Sequence, residues 1–477
     1  MPFIKDFSII LKIILGKFVM QDSEQLTLFK DKPTLLSKRQ INILHSSKKN
    51  GTAQDDSRSY LKELGIEIVE NPQPIQFIKN SSEIVHRWSP YVQGFSAKFV
   101  QKSFDRYSDE YKDPVIFDPF AGSGTVLVQS KLNNYESHGV ELNPLLHFIA
   151  ETKINAWQVN DERFLQISKN LNDKHIFVAP DFLKSEKHFH HDVLHNLEIL
   201  KGGIDAFQPA IEEDEKIKNL MLVAFSSILI DCSNLKRTPC LGYTRKKNVN
   251  ADTPFILFRK KINEIAFDLR VLQNKYKKVS KKGFVFLANS KDFIHNTLYD
   301  LVITSPPYMN GLDYVMNYKI EMGWLGFADN HKKLKQVKDE MVVCDNVSKG
   351  LIKNFSVKDK RYTNNWIEDI KSKIQRSIKK RGTYRRPDMP EIVHKYFDDM
   401  YKIMVNVTPA IRSGGRFILV IGDSLIADVY LPTDLLIAKI GTELGFSIEK
   451  IEKVRNRRSG QVRSYRLRET VVTLRKE

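Results

Sequence analysis

Leu301-Val302-Ile303-Thr304-Ser305-Pro306-Pro307-Tyr308-Met309-Asn310-Gly311 decides how this chain is read. Three apolar residues in a row, two of them β-branched, predict the end of a buried strand. The strand must stop at Ser305, because two prolines cannot continue a hydrogen-bonded ladder. Beyond it comes a stiff, donor-poor loop that carries one hydroxyl and one aromatic ring. In open α/β sheets ligands sit beyond the carboxyl ends of the strands. A rigid turn with a polar group beside a flat face suits a planar ring bearing an exocyclic amine. Taken alone, the same residues also suit a proline-rich turn with a packed tyrosine.

Upstream, Val115-Ile116-Phe117-Asp118-Pro119-Phe120-Ala121-Gly122-Ser123-Gly124-Thr125 reads as a parallel strand, a glycine turn and a helix start. Asp118 at the strand's end can accept a hydrogen bond from a ligand amino group. Gly122 and Gly124 permit a tight turn and a close backbone approach. A loop of this kind can hold a dinucleotide, but the Gly-x-Gly-x-x-Gly spacing is missing and no phosphate-binding lysine comes after it. Ser137-His138-Gly139-Val140-Glu141 is the next strand, with an acid at its tip where ribose hydroxyls are bound.

These two stretches together resemble motifs I and IV of the S-adenosylmethionine-dependent DNA amino-methyltransferases. The match covers residues 84–157 and 284–327 well and 412–477 loosely. Serine at the head of Ser305-Pro306-Pro307-Tyr308 is similar to the cytosine-N4 group, whereas the adenine-N6 group more often has Asp or Asn there. His86 to Tyr91 and Gly94 to Phe99 resemble motif X, which helps to hold the methionine part of the cofactor. Asn289-Ser290-Lys291-Asp292 resembles motif III, with an amide where the family's acid usually stands. The resemblance implies S-adenosyl-L-methionine as cofactor, held by Lys98, Phe99, Asp118, Pro119, Phe120, Gly122, Gly124, Thr125, Glu141, Asn289 and Ser290. It implies catalysis by Ser305, Pro306, Pro307 and Tyr308. The fold it implies is α/β and Rossmann-like, with a seven-stranded, mostly parallel sheet and helices on both faces.

The chain divides into six segments. Residues 1–74 form an N-terminal arm and linker, and 75–157 the cofactor-binding half. Residues 158–282 are a mainly helical insertion suited to target recognition, and 283–327 carry the catalytic motif. Residues 328–390 are a basic insertion, and 391–477 complete the catalytic domain. The length, 477 residues, allows a sizeable core with large insertions. Lysine and arginine number 75 against 57 acids, a net charge of +18, which points to a polyanionic partner. Three cysteines form no disulfide framework and indicate a reducing compartment. The apolar run 7–20 is too short and too lysine-interrupted to span a bilayer. Gln25-Leu26-Thr27-Leu28-Phe29 resembles the peptide by which bacterial DNA enzymes dock on the sliding clamp. His188, His190, His191 and His195 lack paired metal-ligand spacing, so no metal is expected.

Across 351–387 there are twelve Lys/Arg against three Asp/Glu, with Tyr362, Trp366 and Tyr384 interleaved. Cations neutralise phosphates and aromatic rings can stack on unpaired bases. Arg237, Arg245, Lys246, Arg381, Arg385, Arg386, Arg457 and Arg458 are the candidate DNA contacts. The expected activity is site-specific methylation of cytosine N4 in double-stranded DNA after base flipping. Adenine-N6 methylation, RNA methylation and a non-catalytic DNA-docking role remain alternatives. The resemblance also implies a cognate restriction endonuclease and a cytoplasmic, prokaryotic setting, at the nucleoid when bound to DNA.

Overall fold

The computed structural model describes residues 52–477 except 73–76, 92–93, 185–186, 238–239, 245–246, 310, 312, 345–346, 358–359, 383, 385, 460–461 and 463. The run 7–20, the clamp-like peptide Gln25–Phe29, and Arg245, Lys246 and Arg385 lie outside the described residues.

Eight strands form the main sheet: β1 (Ile68–Glu70), β2 (Val115–Asp118), β3 (Glu136–Glu141), β4 (Gly283–Leu287), β5 (Tyr299–Thr304), β6 (Ile411–Gly422), β7 (Phe446–Arg458) and β8 (Arg466–Lys476). Their spatial order is β1-β7-β8-β6-β5-β2-β3-β4. Every neighbouring pair is parallel except the two that β8 makes, with β7 and β6. One reversed strand inside an otherwise parallel, Rossmann-like sheet is the class I methyltransferase arrangement. The count corrects the expected seven strands. Ile68–Glu70 adds to the outer edge, in register with Ile451 to Lys453. Residues 53–56 and 58–64 are helical and packed on the body. Arg468 donates to Ala53 O and Ser57 Oγ, and Trp366 Nε1 donates to Glu63 at 2.7 Å. This part of the expected linker therefore belongs to the fold.

All six residues of β5 are buried. Leu301 and Ile303 face one apolar layer with Phe99, Val100 and Phe104, while Val302 faces the other with Tyr396, Met400 and Leu435. A central parallel strand is covered on both sides, which explains its continuous apolar run. After β2 the chain builds outward through β3 and β4, then returns to lay β5 against the other side of β2. The carboxyl ends of β2 and β5 therefore flank the topological switch point, where a ligand crevice opens.

In the first insertion the helices Asp161–Lys169, His191–Ala206, Glu212–Ile228 and Thr253–Lys275 share one core. It is joined to the catalytic body by one buried acid that the sequence did not reveal. Asp268 is fully buried and accepts from Val85 N at 3.0 Å, Trp88 Nε1 at 2.9 Å and Arg87 Nε at 3.1 Å. Removing it would leave two buried N–H groups and a partly exposed guanidinium without their acceptor. Asp268→Ala should lower stability by about 3 kcal/mol, read as a drop in the urea midpoint with unchanged slope.

Candidate cofactor and catalytic site

Asp118 ends β2 almost fully buried. It accepts from Thr304 Oγ1, on β5, at 2.6 Å and from Phe120 N at 3.0 Å. Burial pushes its carboxyl up to about 7, the two hydrogen bonds oppose this, and the charge of Glu141 adds to it. Beyond Asp118 the chain turns at Gly122 (φ +54°) and Gly124 (φ +83°), conformations that favour glycine. A Cβ on Gly122 would stand 2.9 Å from the Tyr91 hydroxyl, and one on Gly124 3.0 Å from Ala150 Cβ. Glu141, at the tip of β3, accepts from Gly122 N at 2.8 Å and Asn143 N at 2.7 Å. Burial raises its carboxyl to about 7, restrained by the N–H groups of Asn143, Gly122 and Leu142. Asn143 also caps the next helix by accepting from Leu145 N at 3.0 Å.

A cavity opens against this turn, lined by Tyr91, Phe120, Glu141, Asn289, Ser290 and Ser305 among others. The turn that only glycine can make, the carboxylate at the strand tip and the amide and hydroxyl on the far wall fit S-adenosylmethionine. Pro119 also lines the cavity, whereas Asp118, Gly122, Gly124 and Thr125 do not. Lys98 and Phe99 correct the expectation for motif X. Lys98 is exposed and lies 3.6 Å from Glu83. Phe99 is buried in the layer that covers β5. The helix Ala97–Tyr107 turns its apolar stripe to the sheet and its lysines to solvent, so neither residue reaches the cavity.

On the other side of Ser305 lies a larger cleft of about 770 Å³. Its walls include Ser305, Tyr308, Arg455, Arg457 and Glu469, and across from them Lys260 and Glu264 of the insertion. Ser305 and Tyr91 line both spaces, so the cofactor cavity and the cleft adjoin there. Pro307 O accepts from Tyr396 Oη at 2.9 Å, which fixes the proline turn to the helix Met389–Val407. Tyr308 Oη donates to Glu469 Oε1 at 2.5 Å. Arg455 and Glu469, the latter unnoticed in the sequence, are cross-strand partners on β7 and β8. A bulge between Lys453 and Arg455 alters the strand's register just before the cleft-lining pair Arg455 and Arg457.

The basic residues are distributed unevenly. Arg457 lies in the cleft, its guanidinium 4.9 Å from the Tyr308 ring centre, and Arg458 is exposed on the opposite face of β7. Three others correct the expectation of free phosphate contacts. Arg237 is buried, donates to Asn317 O at 2.9 Å, pairs with Glu321 and lies over the Tyr318 ring. Arg381 pairs with Asp428. Arg386 pairs with Asp388 at 2.6 Å and donates to Val347 O. The interleaved aromatics are likewise engaged. Tyr362 stacks on Tyr401 at 4.0 Å, Trp366 is buried, and Tyr384 Oη accepts from Ala427 N at 3.2 Å. Among the described residues no helix is long and apolar enough to cross a membrane.

This sheet, with its glycine turn and its Ser-Pro-Pro-Tyr loop on one crevice, defines an S-adenosylmethionine-dependent methyltransferase. No family model matches the chain. It is 24% identical to the type II methyltransferase M.AvaI of Nostoc sp. over 79% of this chain and 82% of that protein. It is 24% identical to M.BsoBI of Geobacillus stearothermophilus, over 86% and 89%, and 22% identical to M.MvaI of Kocuria varians, over 81% and 87%. The chain is thus similar, over most of its length and of theirs, to type II DNA methyltransferases. Among solved structures, an rRNA methyltransferase aviRa from Streptomyces viridochromogenes aligns over 84% of this chain and 94% of its own at 8% identity, with a TM-score of 0.30.

With Glu141 raised to about 7, the carboxyl is part protonated at neutral pH. Only the ionised form offers its full acceptor capacity to ribose hydroxyls, so cofactor affinity should rise with pH through 7. In Glu141→Gln that rise should weaken, leaving the share of Asp118. Calorimetric titration of S-adenosylmethionine at pH 6, 7 and 8 measures it, and an equal slope in the variant would remove Glu141 from the site.

Proposed function

We propose that the protein methylates the exocyclic N4 amine of cytosine in double-stranded DNA, with the target base turned out of the helix into the 770 Å³ cleft. The observation that carries this reading is the position of Ser305, which lines both the cofactor cavity and the cleft. S-adenosylmethionine supplies a methyl group on a positively charged sulfur that departs as a neutral thioether. The protein's part is to place an amine in line and exclude water. Ser305 stands beside the Tyr308 hydroxyl, and its lone pairs are offered to an N–H of the amine. That contact draws the nitrogen out of conjugation and turns its lone pair toward the methyl. The new N–C bond forms as the C–S bond breaks, and the amine's surplus proton passes to solvent through the open cleft. Pro306 and Pro307 hold the geometry, and Tyr308 stacks on the base.

Serine at the head of the loop supports cytosine, by its similarity to the cytosine-N4 group. The helix Thr253–Lys275 forms the wall opposite Ser305, which supports a role for the insertion 158–282 in target recognition. Lys260 and Arg457 on the cleft walls suit the phosphates beside the everted nucleotide. The type II naming of the relatives supports a restriction–modification setting with a cognate endonuclease.

DNA methylated by the protein and digested to nucleosides should contain N4-methylcytosine, and N6-methyladenine in its place would overturn the assignment. Ser305→Ala should reduce kcat by about a hundredfold through lost alignment, while calorimetry finds cofactor binding intact.

A further inference from the structure

The catalytic loop does not fix its own side chains. The Tyr308 hydroxyl donates to Glu469 Oε1 at 2.5 Å, and Glu469 Oε2 accepts from Arg455 Nε at 2.5 Å. Glu469 is 5% exposed and both of its oxygens are engaged. The Arg457 guanidinium covers one face of the Tyr308 ring. Gly422, on β6, makes that packing possible, since a Cβ there would collide with the Arg457 side chain and stand 2.8 Å from the ring. Burial, and next the Glu469 charge, hold the phenol well above its ordinary range, so the hydroxyl stays a donor. Ser305 stands beside the same phenol oxygen. An ordered line thus runs from Arg455 through Glu469 and Tyr308 to Ser305.

We propose that Glu469 is a positioning residue for methyl transfer: through Tyr308 it sets the plane on which the everted base stacks and the direction of the Ser305 lone pairs. Arg457 reinforces this by covering one face of the ring, so that the base is offered the other. The inference rests on the reading that Tyr308 stacks on an everted base. It assigns control of the catalytic loop to the β7–β8 hairpin, about 160 residues further along the chain.

A double-mutant cycle tests it, run on the full-length protein with a duplex carrying the methylated site mapped by sequencing. Glu469→Ala and Tyr308→Phe should each lower kcat by roughly ten- to a hundredfold, with cofactor affinity and melting temperature unchanged. The double variant should be no slower than the slower single, because both changes cut the same line. Glu469→Gln should recover most of the rate, since its amide oxygen still accepts from Tyr308. Losses that multiply in the double variant, or full turnover in Glu469→Ala, would overturn the proposal. Should Glu469→Ala fail to fold, Glu469→Gln and Tyr308→Phe close the same cycle: a fast Gln variant beside a slow Phe variant supports it, and a fast Phe variant overturns it. Full turnover in Tyr308→Ala would instead defeat the underlying base-stacking reading, whereas an inactive Tyr308→Ala beside an active Glu469→Ala defeats this inference alone.

Discussion

The hydrogen bond from Thr304 Oγ1 to Asp118 Oδ1, 2.6 Å long and wholly buried, is the contact around which the site is assembled. It joins the last residues of two adjacent parallel strands at the point where the chain reverses its direction of winding. On one side of it the backbone turns through Gly122 toward the cofactor cavity. On the other it enters Ser305-Pro306-Pro307-Tyr308. Because both loops leave from strand ends locked together, their spacing is set by the sheet. The buried carboxyl also accepts from Phe120 N, so one side chain organises the first turn of one loop while gripping the root of the other.

A second constraint is electrostatic. Asp118 and Glu141 stand close enough for the charge of one to raise the other, in a region from which water is largely excluded. Each is held by backbone or hydroxyl donors in place of a cation. Burial is the larger cause of the upward shift of both carboxyls.

The centre of the sheet was legible because Tyr299–Thr304 is a short apolar run with a sharp stop at its prolines. The strand Ile68–Glu70 was missed because three residues give no periodicity, and its only reason to be extended is the free edge of β7. The helix Ala97–Tyr107 was legible as amphipathic, but which neighbour its stripe would meet was not, and Lys98 and Phe99 were misassigned on that account. Arg237 and Arg386 were read by charge alone. Their partners, Glu321 and Asp388, turn them into structural ties, and for Arg237 the partner is 84 positions away. Glu469 and Asp268 carry no local signal at all: each matters only through what the fold brings to it.

The attachment made by Asp268 bears on how such enzymes diversify. The acid sits on the insertion, yet what it grips is the segment Val85–Trp88, which leads directly to Tyr91 on the cofactor wall. The insertion is therefore no detachable reader bolted to a finished engine. Grafting a foreign recognition module in its place would leave the wall of the cofactor chamber unmoored, unless the newcomer also brought a carboxylate to the same spot.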